Sequence, residues 1–245
     1  MIELVRTNFK LRYNNSLLGF FWVLLKPLFT FVILYIVFSK FRGGWVENYQ
    51  IYLLLGIIIY TFVSEGILFG MKGILGTAHI ILKVNFPREI ALAASLIMAV
   101  INLVINLLIL FVFIIFNPVS TNVVALIYVG VLIFVIFMLV YGFSFFTSII
   151  LVKLRDLEHI TELALQLFFY ATPIFYPLDL LPETVQKIIK LNPLTILIQA
   201  AREALIYGKV ESLLEIGIVA VIAALMLFFG SIYFKRNVKK IAENF

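Results

Sequence analysis

Charged residues cut this chain into apolar stretches. Used as punctuation, they leave six, at roughly 17–39, 50–71, 90–116, 123–152, 162–177 and 213–234. A helix rising 1.5 Å per residue needs about 20 residues to cross about 30 Å of hydrocarbon. The second, third, fourth and sixth stretches meet that length. The first does so only if it begins near Leu17 and carries Lys26-Pro27 inside it, because Leu28–Phe38 alone is too short. The proline withdraws a backbone donor and predicts a kink. Lys26 either snorkels to the headgroups or faces the bundle interior. The fifth stretch runs only from Glu162 to Pro177 and is broken at Thr172-Pro173 and Tyr176-Pro177. Residues 178–211 then mix polar and apolar character, with Pro193–Ala201 apolar but too short to span. A half-buried hairpin or re-entrant pair is expected there, since non-helical backbone at membrane depth persists only inside protein or beside a water-filled cavity. Ahead of the first span, Ile2, Val5, Phe9 and Tyr13 form a stripe flanked by Arg6 and Lys10, which predicts an interfacial helix over 1–16. Leu4 and Leu11 fall off that stripe, so its amphipathicity is moderate.

The predicted fold is therefore all-α and polytopic: six transmembrane helices, an N-terminal interfacial helix and short re-entrant helices after the fifth span. Composition supports a lipid solvent. Of 245 residues, 64% are hydrophobic and 13% charged, with a mean hydropathy of +1.14. An ordinary soluble domain is about 45–50% apolar and about 25% charged, and no soluble fold can hide this much apolar surface. Disorder is excluded on the same grounds. The absence of cysteine removes disulfide scaffolds, thiol nucleophiles and cysteine-based zinc sites.

Charge then sets orientation. The net charge of +6 would point to nucleic acid in a soluble protein, but here the basic residues lie between apolar runs, and no nucleic-acid partner is expected. With the N-terminus inside, twelve Lys and Arg residues fall in inner segments, six in outer ones, and Lys26 within a span. The positive-inside rule thus places both termini in the cytoplasm. Residues 1–13 already carry Glu3, Arg6, Lys10 and Arg12, so no cleaved signal peptide is expected. In this orientation Tyr35, Tyr49, Tyr52, Tyr128, Tyr170, Tyr176 and Tyr207 all fall toward the outer side, joined by Trp45. They form either a lopsided interfacial belt or an aromatic lining of the kind that stacks on sugar rings.

Catalytic chemistry finds little support. His79 and His159 lie far apart in predicted cytoplasmic connections, and no metalloprotease, nucleophile-elbow or Walker A spacing occurs. The Gly208-Lys209 pair lacks the upstream glycine and the following Ser or Thr. Asp156, Glu158 and Glu162 cluster with Lys153 and Arg155, which predicts a solvated, self-neutralising interfacial helix rather than a catalytic pair. Polar residues within spans carry more information, because lipid makes them costly. Ser95, Asn102 and Asn106 share one face of the third span, and Ser144, Thr147 and Ser148 share one face of the fourth. Such faces either bond helix to helix or line a path. Gly66-x-x-x-Gly70 permits close helix contact, and Glu65 just before it is a candidate for pairing with a basic group.

Five local patterns follow one another along the chain. Arg6-x3-Lys10-x-Arg12-Tyr13-x2-Ser16-x-Leu18-Gly19-x2-Trp22-x2-Leu25-x-Pro27 comes first, then Lys83-Val84-x-Phe86-Pro87-Arg88-Glu89. Arg155-Asp156-Leu157 follows the fourth span, Thr172-Pro173-Ile174-Phe175-Tyr176-Pro177 breaks the fifth, and Asn192-Pro193 precedes Arg202 by nine residues. In this order, on a six-span plan, the chain resembles the membrane subunit of ABC-2-type polysaccharide exporters. These permeases export lipid-linked O-antigen, teichoic acid and capsule-like polymers.

The resemblance covers nearly the whole of 1–245 and implies one ABC-2-type transmembrane domain in the bacterial inner (cytoplasmic) membrane. It implies a homodimer paired with two copies of a separate ATPase subunit, which binds the ATP and magnesium; this chain would bind no cofactor or metal and perform no catalysis. Residues 72–89 would be the cytoplasmic segment that couples to the ATPase, with Lys72, His79, Lys83 and Arg88 as candidate contacts. Residues 178–211 would form an extracytoplasmic gate. The polymer path would run along the dimer axis among membrane lipids, with Tyr35, Trp45, Ser95, Asn102, Asn106, Tyr170, Phe175 and Tyr176 as candidates for its lining. A permease for a drug or small lipid is the nearest rival. A membrane enzyme acting on lipid-linked sugars lacks a converging acidic or histidine site, and a secondary transporter would have only Glu65 as a coupling-ion candidate.

Overall fold

A computed structural model describes residues 2–13, 19–38, 46–77 and 87–241. The described residues are helical almost throughout. In chain order the helices are α1 (Ile2–Tyr13), α2 (Phe21–Phe38), α3 (Tyr49–Lys72), α4 (Glu89–Phe116), α5 (Val123–Lys153), α6 (Leu157–Ala171), α7 (Glu183–Ile189), α8 (Pro193–Tyr207) and α9 (Leu213–Ile241). Short 3₁₀ turns lie at Leu75–Thr77 and Leu178–Leu180. Among the described residues, five helices are long and apolar enough to cross a membrane: α2, α3, α4, α5 and α9.

Local sequence explains where the helices stop and start. Asn122 caps α5 by accepting from the Ala125 N–H at 2.8 Å. Asn192 caps α8 in the same way, with Pro193 at the first helical position, where a missing N–H costs nothing. Gly208 ends α8 in the left-handed region at φ 67°, which favours glycine. The fifth apolar stretch differs from expectation: its helix starts earlier, at Leu157, and stops at Ala171. Thr172 must be extended because a proline follows it, and it is, at φ −92° and ψ 137°. At 15 residues, α6 rises only about 22 Å.

The bundle is built around α3. Residues Leu53–Tyr60 are buried on every side, which is the burial pattern of a helix apolar all round. Helices α2, α4, α5, α6 and α8 pack against it. The outer faces of α2, α4 and α9 expose Phe29, Ile36, Leu108, Phe111, Val221 and Phe228, surfaces suited to lipid. Gly66 and Gly70 both face α5. A Cβ on Gly66 would lie 2.7 Å from Val140 Cγ1, and one on Gly70 would collide with Ser144. The G-x-x-x-G spacing thus lets α3 approach α5. A smaller apolar cluster of Ile74, Leu92, Phe145, Ile149, Phe234 and Val238 closes the bundle where α3 ends and α9 finishes.

Candidate functional site

One line of contacts runs the length of α3. At its C-terminal end the Lys72 ammonium meets Glu158 at 2.5 Å and Glu162 at 3.8 Å. One residue back, the Thr161 hydroxyl donates to Met71 Sδ at 3.6 Å. Midway, the Tyr60 hydroxyl donates to the Leu165 carbonyl, and the Tyr60 ring meets Phe169 edge-on at 5.2 Å. At the N-terminal end, the hydroxyls of Tyr49 and Tyr52 donate to the carbonyls of Phe175 and Tyr176, at 2.8 and 3.3 Å. The chain from Glu158 to Tyr176 therefore lies antiparallel to α3 along its whole length. The cation that Glu158 and Glu162 meet comes from α3, rather than from Lys153 or Arg155 on the neighbouring sequence.

The break at Thr172–Pro177 is held by side chains where a helix would have used its own N–H groups. Arg202, on α8, is 2% exposed. Its Nη1 donates to the Pro173 carbonyl at 2.8 Å, its Nη2 to that of Ile174 at 2.7 Å, and its Nε to that of Tyr52 at 3.1 Å. Together with Tyr49 and Tyr52, it gives each of the four consecutive carbonyls 173–176 a donor. Its guanidinium carbon sits 3.4 Å from the centre of the Tyr52 ring, so a π face as well as carbonyl dipoles offsets the charge. Burial pulls the Arg202 pKa below its ordinary value, with the Tyr52 and Tyr49 hydroxyls opposing, yet a guanidinium stays charged in any protein setting. Gly56 makes room for it: a Cβ there would lie 2.5 Å from Nη2. Asn192 adds a further tie, donating from Nδ2 to the Thr172 hydroxyl at 3.2 Å.

Rings cluster around this break. Tyr35 stacks with Tyr49 at 6.3 Å and Tyr49 with Tyr52 at 6.1 Å; Phe38 meets Phe175 at 4.8 Å, and Phe175 meets Tyr176 at 5.0 Å. Tyr170 reaches Phe175 at 6.3 Å and is itself exposed. Its carbonyl accepts from the Tyr176 hydroxyl at 3.1 Å, and the Tyr35 hydroxyl accepts from Gln50 at 3.1 Å. Four of the sequence-predicted aromatics, Tyr35, Tyr170, Phe175 and Tyr176, thus come together. Trp45 lies outside the described residues.

The polar candidates sit elsewhere, between α3 and α4. Asn102 and Asn106 are buried. Asn102 donates to Glu65 at 2.7 Å, an interhelical bond, and the Ser95 hydroxyl turns back to the Ala91 carbonyl at 3.1 Å. At the far end, Lys72 is engaged as described, while Arg88 donates to the Val238 carbonyl on α9. His79 and Lys83 lie outside the described residues. Sequence reasoning counted Arg202 only as an outer cation and as part of a resemblance. Standing just after the apolar run Pro193–Ala201 and beside Glu203, it carried no signal that set it apart from an ordinary interfacial charge.

A polytopic bundle of apolar helices with a protein-wrapped break beside its central helix defines a multi-pass membrane protein. Residues 1–206 match the family model described as ABC-2 type transporter, and the chain belongs to that family. Residues 1–206 are thus an ABC-2-type transmembrane permease domain. It is similar to the O-antigen export system permease protein RfbA of Klebsiella pneumoniae, at 26% identity over 238 residues covering 93% of this chain and 90% of the relative. A protein of the same name from Myxococcus xanthus is 26% identical over 247 residues, covering 100% of this chain and 94% of that relative.

Proposed function

We propose that this chain is the transmembrane subunit of an ATP-driven exporter that moves a lipid-linked polysaccharide of O-antigen, teichoic-acid or capsule type across the bacterial cytoplasmic membrane. The observation that carries the reading is similarity to O-antigen export permeases over almost the full length of both proteins. In this reading two copies of the chain form the path and two ATPase subunits supply the energy, binding ATP and magnesium. Lys72 and Arg88 lie at the ATPase end, and residues 178–211 with the break at 172–177 form the outer gate. The aromatics gathered there suit a polymer of sugar rings, which offers apolar ring faces and neutral hydroxyls to stack and bond.

Six crossings, with both termini cytoplasmic, fit the line of contacts along α3. From Tyr49 to Lys72, α3 rises about 35 Å. The 15 residues of α6 rise only about 22 Å, yet the chain from Glu158 to Tyr176 meets α3 from Lys72 at one end to Tyr49 at the other. A short helix continued by a non-helical segment, wrapped by protein, supports a fifth crossing that length alone would not assign.

Depletion of the chain in its own host tests the reading. A lipid-linked polymer should vanish from the cell surface and accumulate on the inner leaflet, and its structure would identify the cargo. Normal surface glycans would overturn the polysaccharide cargo and leave an ABC-2 permease for another molecule.

A further inference from the structure

We propose that Arg202 is a positioning residue that joins α3, α8 and the reversal Thr172–Pro177 into one block, and that this block moves as a unit during transport. The block follows from the contacts themselves, whereas its place in transport rests on the exporter reading above.

The argument begins with the shape of the guanidinium. Its Nε faces α3 at the Tyr52 carbonyl, while Nη1 and Nη2 face the reversal at Pro173 and Ile174. One rigid planar fork therefore spans two elements from a third. A lysine ammonium on a flexible stem cannot reproduce that geometry. The three backbone acceptors, Tyr52, Pro173 and Ile174, are neutral carbonyls, so the cation depends on their dipoles and on the Tyr52 ring. Prying the reversal from α3 would strand a buried cation and several buried carbonyls together, the most costly kind of loss. The far end of α8 is fixed as well. The Gly208 carbonyl accepts from Asn122 Nδ2 at 2.9 Å, and the Ser120 N–H donates to the Ile206 carbonyl at 3.1 Å, tying α8 to the turn between α4 and α5. An opening movement thus meets least resistance around this block, not through it.

The chain has no cysteine, so a single introduced thiol is a unique probe. Ile174 is 0% exposed and Leu178 is 4% exposed, on either side of the second proline. In the complex with its ATPase subunit, Ile174→Cys should react slowly with a maleimide both at rest and when trapped with a non-hydrolysable ATP analogue. Adding Arg202→Lys should raise the rate at least tenfold in both states. Should the Arg202 variant fail to fold, Tyr49→Phe removes a single donor, and Leu178→Cys should report a smaller rise of a few-fold. A tenfold rise on ATP trapping with Arg202 intact would mean that the reversal comes apart, overturning the block. Unchanged labelling in both Arg202→Lys and Tyr49→Phe would overturn the positioning role. An Arg202→Lys protein that labels faster yet exports normally would leave the block standing and overturn its part in transport, without touching the cargo assignment that depletion tests.

Discussion

Gly56 and Arg202 are intelligible only as a pair. A glycine in the middle of a buried helix is destabilising by about 0.5–1 kcal/mol relative to alanine, so its presence calls for a compensating contact. That contact is the guanidinium, which occupies the space a Cβ would take, with Ile174 Cγ2 at 3.3 Å from the same point. Gly56→Ala should therefore lower stability despite the better helix propensity of alanine, by about 1–3 kcal/mol as overpacking in a filled interior does. Thermal unfolding of the purified protein in detergent checks this; an unchanged or raised midpoint would mean that the pocket gives way. None of this was legible in the sequence. The spacing between residue 56 and residue 202 carries no periodicity, and an arginine beside Glu203 counts equally well as an outer charge until the fold brings carbonyls to it.

At the scale of helices, more could be read. The charges marked the apolar stretches, and the two prolines at 173 and 177 marked a break, because the restriction that proline imposes on its predecessor acts locally. The partner of Glu158 and Glu162 could not be read, since Lys72 arrives from a helix far away in sequence. Glycine spacing lies between these cases: Gly66-x-x-x-Gly70 announced a close contact without naming α5 as the other side. Gly70→Leu should force α3 and α5 apart at Ser144 and lower the unfolding midpoint strongly. Gly76→Leu, where a Cβ meets nothing within 4 Å, should leave it within experimental error. Equal effects at both positions would show that lost glycine flexibility, rather than the close approach, sets the cost.

For the whole molecule, the decisive question is how many times the chain crosses the membrane and which way round. Composition fixed the solvent, and basic residues gave an orientation, but counting spans by length among the described residues stops at five helices. The contacts along α3 argue for one more crossing, because the same polypeptide touches Lys72 at one end and Tyr49 at the other. Leu191, 81% exposed, sits just before the Asn192 that bonds to Thr172 at the tyrosine end. Gly76, also exposed, lies in the turn after Lys72. With no native thiol in the way, Leu191→Cys in intact spheroplasts should react with a membrane-impermeant maleimide. Gly76→Cys should react only after lysis. Reaction at Gly76→Cys alone would invert the orientation while keeping the crossing. Reaction of both from the outside, or of neither, would place the two ends of α3's neighbour on one side, and the extra crossing would be lost with the gate assigned to it.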